Sequence, residues 1–145
     1  MTEVNYFAIL RVKPEEAAKL YSQFTGHFER RLTREALDKI SRGEVSTVLV
    51  ARVNGEVIGI TGLFMSDRGV LSGFTVVLRE FRNVDIGTAL LRERYRLEPD
   101  CDSIVAEDNF PSLRMCEKVG LTQVGEQIAP NGKKCIVFRK VKKDD

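Results

Sequence analysis

The sequence predicts an α/β fold: one mixed, mostly antiparallel sheet with a central parallel strand pair and helices on both faces. Three observations predict it. Two dipeptides, Asn54-Gly55 and Asn131-Gly132, each lie between β-rich runs, and Asn-Gly supplies the positive φ angles of a tight antiparallel hairpin. Residues 70 to 106 read strand, loop, helix, strand, and a helical crossover makes its two strands parallel. Helical stripes also precede the first hairpin, so helices are available for both faces.

Taken in order, "VNYFAILRV" is rich in β-branched and aromatic residues and predicts a first strand, ended by Lys13-Pro14. Pro14 opens a helix where a missing N–H costs little, and Ala17, Leu20, Tyr21, Phe24 and Phe28 recur at helical spacing. "TREALDKI" carries a second stripe (Leu32, Ala36, Leu37, Ile40), closed by Gly43. "STVLVARV" and "EVIGITGLF" are the arms of the first hairpin, "SDRG" is a turn, and "VLSGFTVVL" is the next strand. "IGTALLRERYRL" is an amphipathic helix that stops before Pro99. "SIVAED" predicts a strand, "PSLRMCEKVG" a helix with proline near its start and glycine at its end, and "LTQVGEQI" and "KCIVFRKV" the second hairpin.

The 145 residues suit a single domain spanning 1–145. With 43% hydrophobic and 30% charged residues the chain has a globular composition, and no apolar run has the length of a membrane span. The opening "MTEVNYFAILRVKPEE" lacks a basic-then-apolar leader pattern, so the expected compartment is cytoplasmic. Cys101, Cys116 and Cys135 show no C-x-x-C spacing, and with one histidine, His27, they read as free thiols rather than metal ligands. A net charge of +2 is too small to mark a nucleic-acid binder; the basic stretches "ERRLTR" and "FRKVKK" read as solvated faces.

Two segments can carry chemistry. In residues 73 to 95 a loop feeds a helix N-terminus, where free amides and the helix dipole favour an anion. Gly87 allows close backbone approach, and Arg82, with Arg79 nearby, adds positive charge. In "EDNFPSLRMCEKVGL", Asn109 ends a strand, and Ser112 and Cys116 follow one helical turn apart on a shared face.

In this order, the two segments resemble the GNAT superfamily of acetyl-CoA-dependent N-acetyltransferases. "VVLREFRNVDIGTALL" follows the family's R/Q-x-x-G-x-G/A pattern with Arg82 and Gly87. "NFPSLRMCEKVGL" follows N-x-x-A/S-x-x-x-Y-E-K-x-G-F. "ARVNGEVIGITGLF" is similar to the family's central hairpin and "ILRVKPEEAAKLY" more weakly to its opening, so the resemblance covers nearly the whole chain.

The resemblance implies acetyl-CoA as cosubstrate and an amine-bearing acceptor, a small molecule or a protein, that attacks the thioester without a covalent enzyme intermediate. The backbone at Val76 and Val77 would pair with the pantetheine arm, with an amide near Val77 polarising the carbonyl. Amides of Arg82, Asn83, Val84, Asp85, Ile86, Gly87 and Thr88 would hold the pyrophosphate. Asn109 would contact the cofactor arm or the acetyl end of the site, where it would be catalytic, and Ser112 would contact the cofactor. Cys116 stands where the family carries the tyrosine that protonates the leaving thiolate. Glu107 or Asp108, with Glu80 behind them, would take the ammonium proton; adjacent strand residues face opposite ways, so one of the pair would face the cleft. His27 lies in the region that lines the acceptor groove.

Two positions depart from the pattern. Asp85 replaces the first glycine; as an N-cap it would accept from the amide of Gly87 or Thr88. A carboxylate about 5 Å from a phosphate costs roughly 0.8 kcal/mol in water and roughly 3 kcal/mol at an effective dielectric near 20. That weakens an anion site without abolishing it. Cys116 either completes the apolar stripe of Leu113 and Val119 or donates a proton through a water; without it, the thiolate takes its proton from solvent. The alternative to an enzyme is a GNAT-fold binding or regulatory module with weak or no acetyl-CoA binding. Exposed hairpin edges make a homodimer a further expectation.

Overall fold

A computed structural model describes residues 7–24, 38–39, 42–66, 69–81, 85–129 and 132–141. Among the described residues, seven strands form one sheet: β1 (Ala8–Val12), β2 (Ser46–Val53), β3 (Glu56–Met65), β4 (Leu71–Val77), β5 (Asp102–Ala106), β6 (Thr122–Ile128) and β7 (Lys134–Arg139). Their spatial order is β1-β2-β3-β4-β5-β7-β6. Every neighbouring pair is antiparallel except β4 with β5. The helices are α1 (Pro14–Phe24), α2 (Ile86–Leu97) and α3 (Phe110–Val119), with a 3-10 turn at Arg79–Phe81. No helix among the described residues is long and apolar enough to cross a membrane.

Local chemistry accounts for the turns. Asn54 and Gly55 take φ of 51° and 82°, the left-handed pair that joins β2 to β3 with the twist a hairpin needs. Gly120 closes α3 at φ 83°, donating to Glu117 O, while Leu121 donates to Cys116 O. The predicted second helix lies outside the described residues except for a helical pair at 38 and 39, after which Glu44 donates to Lys39 O.

Alternation in β2 then divides the core. Val48 and Val50 point to the face covered by α1, where they meet Ala17, Ile60, Phe74 and Val76. Leu49 and Ala51 point to the opposite face and pack with Ile58, Val77, Ile86 and Leu90. A third cluster, Leu63, Leu91, Tyr95, Cys101, Val105 and Cys116, joins α2 and α3 to the sheet. Each enclosed valine, leucine, isoleucine or phenylalanine among them stabilises the fold by roughly 1.5–3 kcal/mol. The two faces are thus covered by helices as the sequence predicts.

The strand expected over 103–108 instead runs Asp102–Ala106. Glu107 and Asp108 occupy a turn, where Glu107 donates its amide to Lys134 O and Asn109 to Ala106 O. Strand alternation therefore does not decide which carboxylate faces a cleft; both are exposed.

Candidate functional site

The parallel pair is where the sheet opens. β4 and β5 share only two paired positions, Ser72 with Asp102 and Gly73 with Ser103. Beyond these, β4 (to Val77) and β5 (to Ala106) share no further ladder position with one another, while each stays paired to its other neighbour, β3 or β7. A fork results, widening toward the carboxyl ends of the parallel strands, the end at which open α/β sheets take ligands. Val76 packs its side chain into the α1-side core and Val77 into the α2-side core, so both are committed to the interior. What β4 offers the fork is its backbone edge.

Beside the fork mouth lies the N-terminus of α2. The first ladder bond there runs from Ala89 to Asp85 O at 3.0 Å. The amides of Ile86, Gly87 and Thr88 consequently have no acceptor within the helix. Ile86 and Thr88 bury their side chains, which anchors the turn that presents these amides. Arg82, Asn83 and Val84, expected in the same loop, lie outside the described residues, as does His27.

Asp85 occupies the N-cap position at φ 61°, ψ 17°, and its side chain makes no capping bond. The expected bond to Gly87 or Thr88 is thus corrected. Its carboxylate turns outward and accepts from Lys118 Nζ at 2.8 Å, across from α3. This leaves the amides uncapped and neutralises the charge that would oppose an anion. The left-handed backbone is one that glycine adopts freely and aspartate tolerates better than most residues. Gly87 has a second duty: a Cβ there would lie 2.6 Å from Met115 Sδ, so its absence brings α2 and α3 together.

Asn109 is the N-cap of α3, its Oδ1 accepting from the Ser112 amide at 3.4 Å, and Ser112 is half-buried behind it. Asp108 pairs with Lys133 at 3.3 Å, whereas Glu107 is exposed at the end of β5, beside the fork mouth. Glu80 is exposed on the 3-10 turn.

Cys116 requires a correction as a proton donor to the cleft. It is 1% exposed and packed with Leu91, Tyr95 and Val105. Burial pushes its thiol up to about 11, with Arg94 pulling in the opposite direction. The apolar stripe of α3 has taken it inward. Cys101 and Cys135 are likewise buried, and all three thiols are free.

Sequence reasoning missed two residues of this region. Lys118 gives no local signal, because its partner lies 33 positions earlier. Arg94 could have been found: it stands four residues after Leu90 and eight after Ile86, on the stripe α2 turns inward. It is wholly buried, and its guanidinium reaches Thr61, Thr75 and Ser103 at the base of the fork.

The site thus combines uncapped helix amides, suited to a phosphate, with a fork between two parallel strands, suited to an extended amide-bearing arm. The pyrophosphate and pantetheine of a coenzyme A thioester carry these two groups in that order.

Comparison with known proteins agrees with this geometry. The family described as "Acetyltransferase (GNAT) family" matches residues 15–121. Among solved structures, a GNAT acetyltransferase from Streptococcus pneumoniae is 18% identical, with a TM-score of 0.64, covering 92% of this chain and 97% of its own. Arabidopsis thaliana NAA60 in complex with acetyl-CoA is 16% identical, with a TM-score of 0.66 and coverage of 92% and 97%. The aminoglycoside acetyltransferase AAC(6')-Ib in complex with coenzyme A and kanamycin is 18% identical, with a TM-score of 0.62 and coverage of 92% and 94%. Curated protein sequences give no match.

Proposed function

The chain belongs to the GNAT family of acetyltransferases, and from that premise we propose that it transfers the acetyl group of acetyl-CoA to a primary amine. The observation that carries this reading is the β4–β5 fork opening beside the uncapped N-terminus of α2. Bound acetyl-CoA supplies an activated thioester, which the acceptor amine attacks directly.

The chain's own groups then have distinct tasks. The amides of Ile86, Gly87 and Thr88 hold the pyrophosphate, with Arg82, Asn83 and Val84 completing the loop, and Lys118 offsets Asp85. The β4 edge at Val76 and Val77 aligns the arm by backbone contacts. Asn109 and Ser112 line the turn beyond β5. Glu107 takes the ammonium proton; Asp108 is the weaker candidate because Lys133 holds it. The leaving thiolate draws its proton from solvent, since Cys116 is enclosed. Acceleration comes mainly from holding amine and thioester in attacking geometry.

The acceptor is an amine-bearing small molecule or polypeptide, and the reaction is placed in the cytoplasm. Nucleic acid and membrane play no part in the reading. A homodimer through the exposed hairpin edge of β6 is compatible with it.

Calorimetric titration with acetyl-CoA at two salt concentrations, followed by CoA-release assays over a panel of primary amines, tests the proposal. Micromolar binding with amine-dependent release of CoA supports it. A second reading, a binding module without catalysis, is favoured by Asp85 in the loop and Cys116 in the core. Weak or absent acetyl-CoA binding, or binding without turnover on any amine, selects that reading, and no binding at millimolar acetyl-CoA sinks the enzymatic account.

A further inference from the structure

We infer that Arg94 is a positioning residue for the arm of the acyl donor: its guanidinium ties β4 to β5 where they part and sets the width of the fork. The inference rests on the acetyl-CoA reading above.

Arg94 is 1% exposed. Its Nη1 donates to Thr61 Oγ1 at 3.1 Å, Phe74 O at 3.4 Å and Thr75 Oγ1 at 3.4 Å. Its Nη2 donates to Ser103 Oγ at 2.9 Å, which also pairs with Tyr95 Oη at 2.9 Å. All these partners are neutral oxygens, and Nε has no partner among the described residues. Burying a cation without a carboxylate is costly, and an apolar side chain of similar volume would avoid that cost. What an apolar residue lacks is a planar array of donors able to reach oxygens on separate strands.

The placement gives those donors a purpose. Gly73 and Ser103 form the last paired position before the fork. One residue type at 73 lets the guanidinium lie against the sheet there: a Cβ on Gly73 would sit 2.2 Å from Nη1. At the point where main-chain pairing ends, a side chain bonds Thr75 on β4 and Ser103 on β5 at once. The strands can therefore separate for a ligand without losing their relative position. A lysine, with one compact ammonium, cannot span both strands.

The experiment compares coenzyme A with 3'-phosphoadenosine 5'-diphosphate, which keeps the pyrophosphate and lacks the pantetheine arm, by titration calorimetry on the full chain. In the unmodified protein coenzyme A binds more tightly. In both Arg94→Met and Arg94→Lys, this advantage is expected to fall about tenfold, while affinity for the arm-less nucleotide stays within about twofold. Ser103→Ala, which removes the β5 anchor of Arg94 together with the Ser103–Tyr95 bond, is expected to lower it about threefold, and it serves where Arg94→Met does not fold. An unchanged ratio overturns the inference, as does parallel loss of both ligands, which marks general damage. Full rescue by lysine also overturns it, because charge rather than span would then matter. If the unmodified protein binds neither ligand, the acetyl-CoA reading fails and this inference with it.

Discussion

Asp85 and Lys118 carry a charge test of the cofactor loop. Their contact is 2.8 Å, but both side chains are largely exposed, so the pair itself is worth about 0–1 kcal/mol. Lys118→Met should therefore change stability little, yet it leaves Asp85 facing the anion. Acetyl-CoA affinity should drop about three- to tenfold at low salt, with the loss shrinking as screening increases. Asp85→Gly should tighten binding and leave the melting temperature nearly unchanged, since relief of left-handed strain offsets greater freedom in the unfolded chain. Titrations at two ionic strengths check both. Cys116 gives an independent prediction. Cys116→Ala should lower stability by about 1–2 kcal/mol through lost packing and leave the pH profile of turnover unchanged. A changed profile would restore it as a proton donor.

Helix α2 meets α3 at Gly87, where a Cβ would fall 2.6 Å from Met115 Sδ. Gly87→Ala should destabilise the fold by about 1–3 kcal/mol through overpacking, partly offset by better helix propensity. Met115→Ala makes room, so the double variant should be less destabilised than the sum of the two single changes. A denaturant double-mutant cycle reads that coupling. Additive losses would mean that Met115 already has space to move. The glycine thus serves helix packing as well as access to the loop. Spacing alone suggests only the second, because Met115 is brought near by the fold.

Two buried hydroxyl and thiol groups govern how the whole molecule responds to alkali. Burial raises Tyr95 to about 12 and Cys116 to about 11. Each is neutral when protonated, and its folded value lies above its unfolded one. Their contribution is complete below about pH 9 and is lost as pH rises through the folded values. Denaturant melts from pH 7 to 11 should show a plateau followed by a decline beginning near pH 9; constant stability to pH 11 would contradict the burial of both groups. Acetyl-CoA at a hundred times its Kd should add roughly 2.7 kcal/mol, a rise of about 5–10 °C in Tm. Thermal scans with and without ligand check that value.

Hairpins, helix ends and the parallel crossover were legible in the chain because each depends on neighbours close in sequence. Asn54-Gly55 turns a hairpin by its own backbone preference, and Gly120 and Pro99 end helices by theirs. The family, too, was carried by local patterns around Arg82, Gly87 and Asn109. Side-chain commitments formed at long range were not legible. Asp85 looked like a helix cap until Lys118, 33 residues later, met its carboxylate. Cys116 could have faced either the cleft or the core, and only the packing of α3 against α2 turned it inward. Arg94 showed its inward face through periodicity, but its partners come from β3, β4 and β5. Backbone preference is a property of a few adjacent residues, whereas a side chain's partner is chosen by which strands and helices the finished sheet brings together.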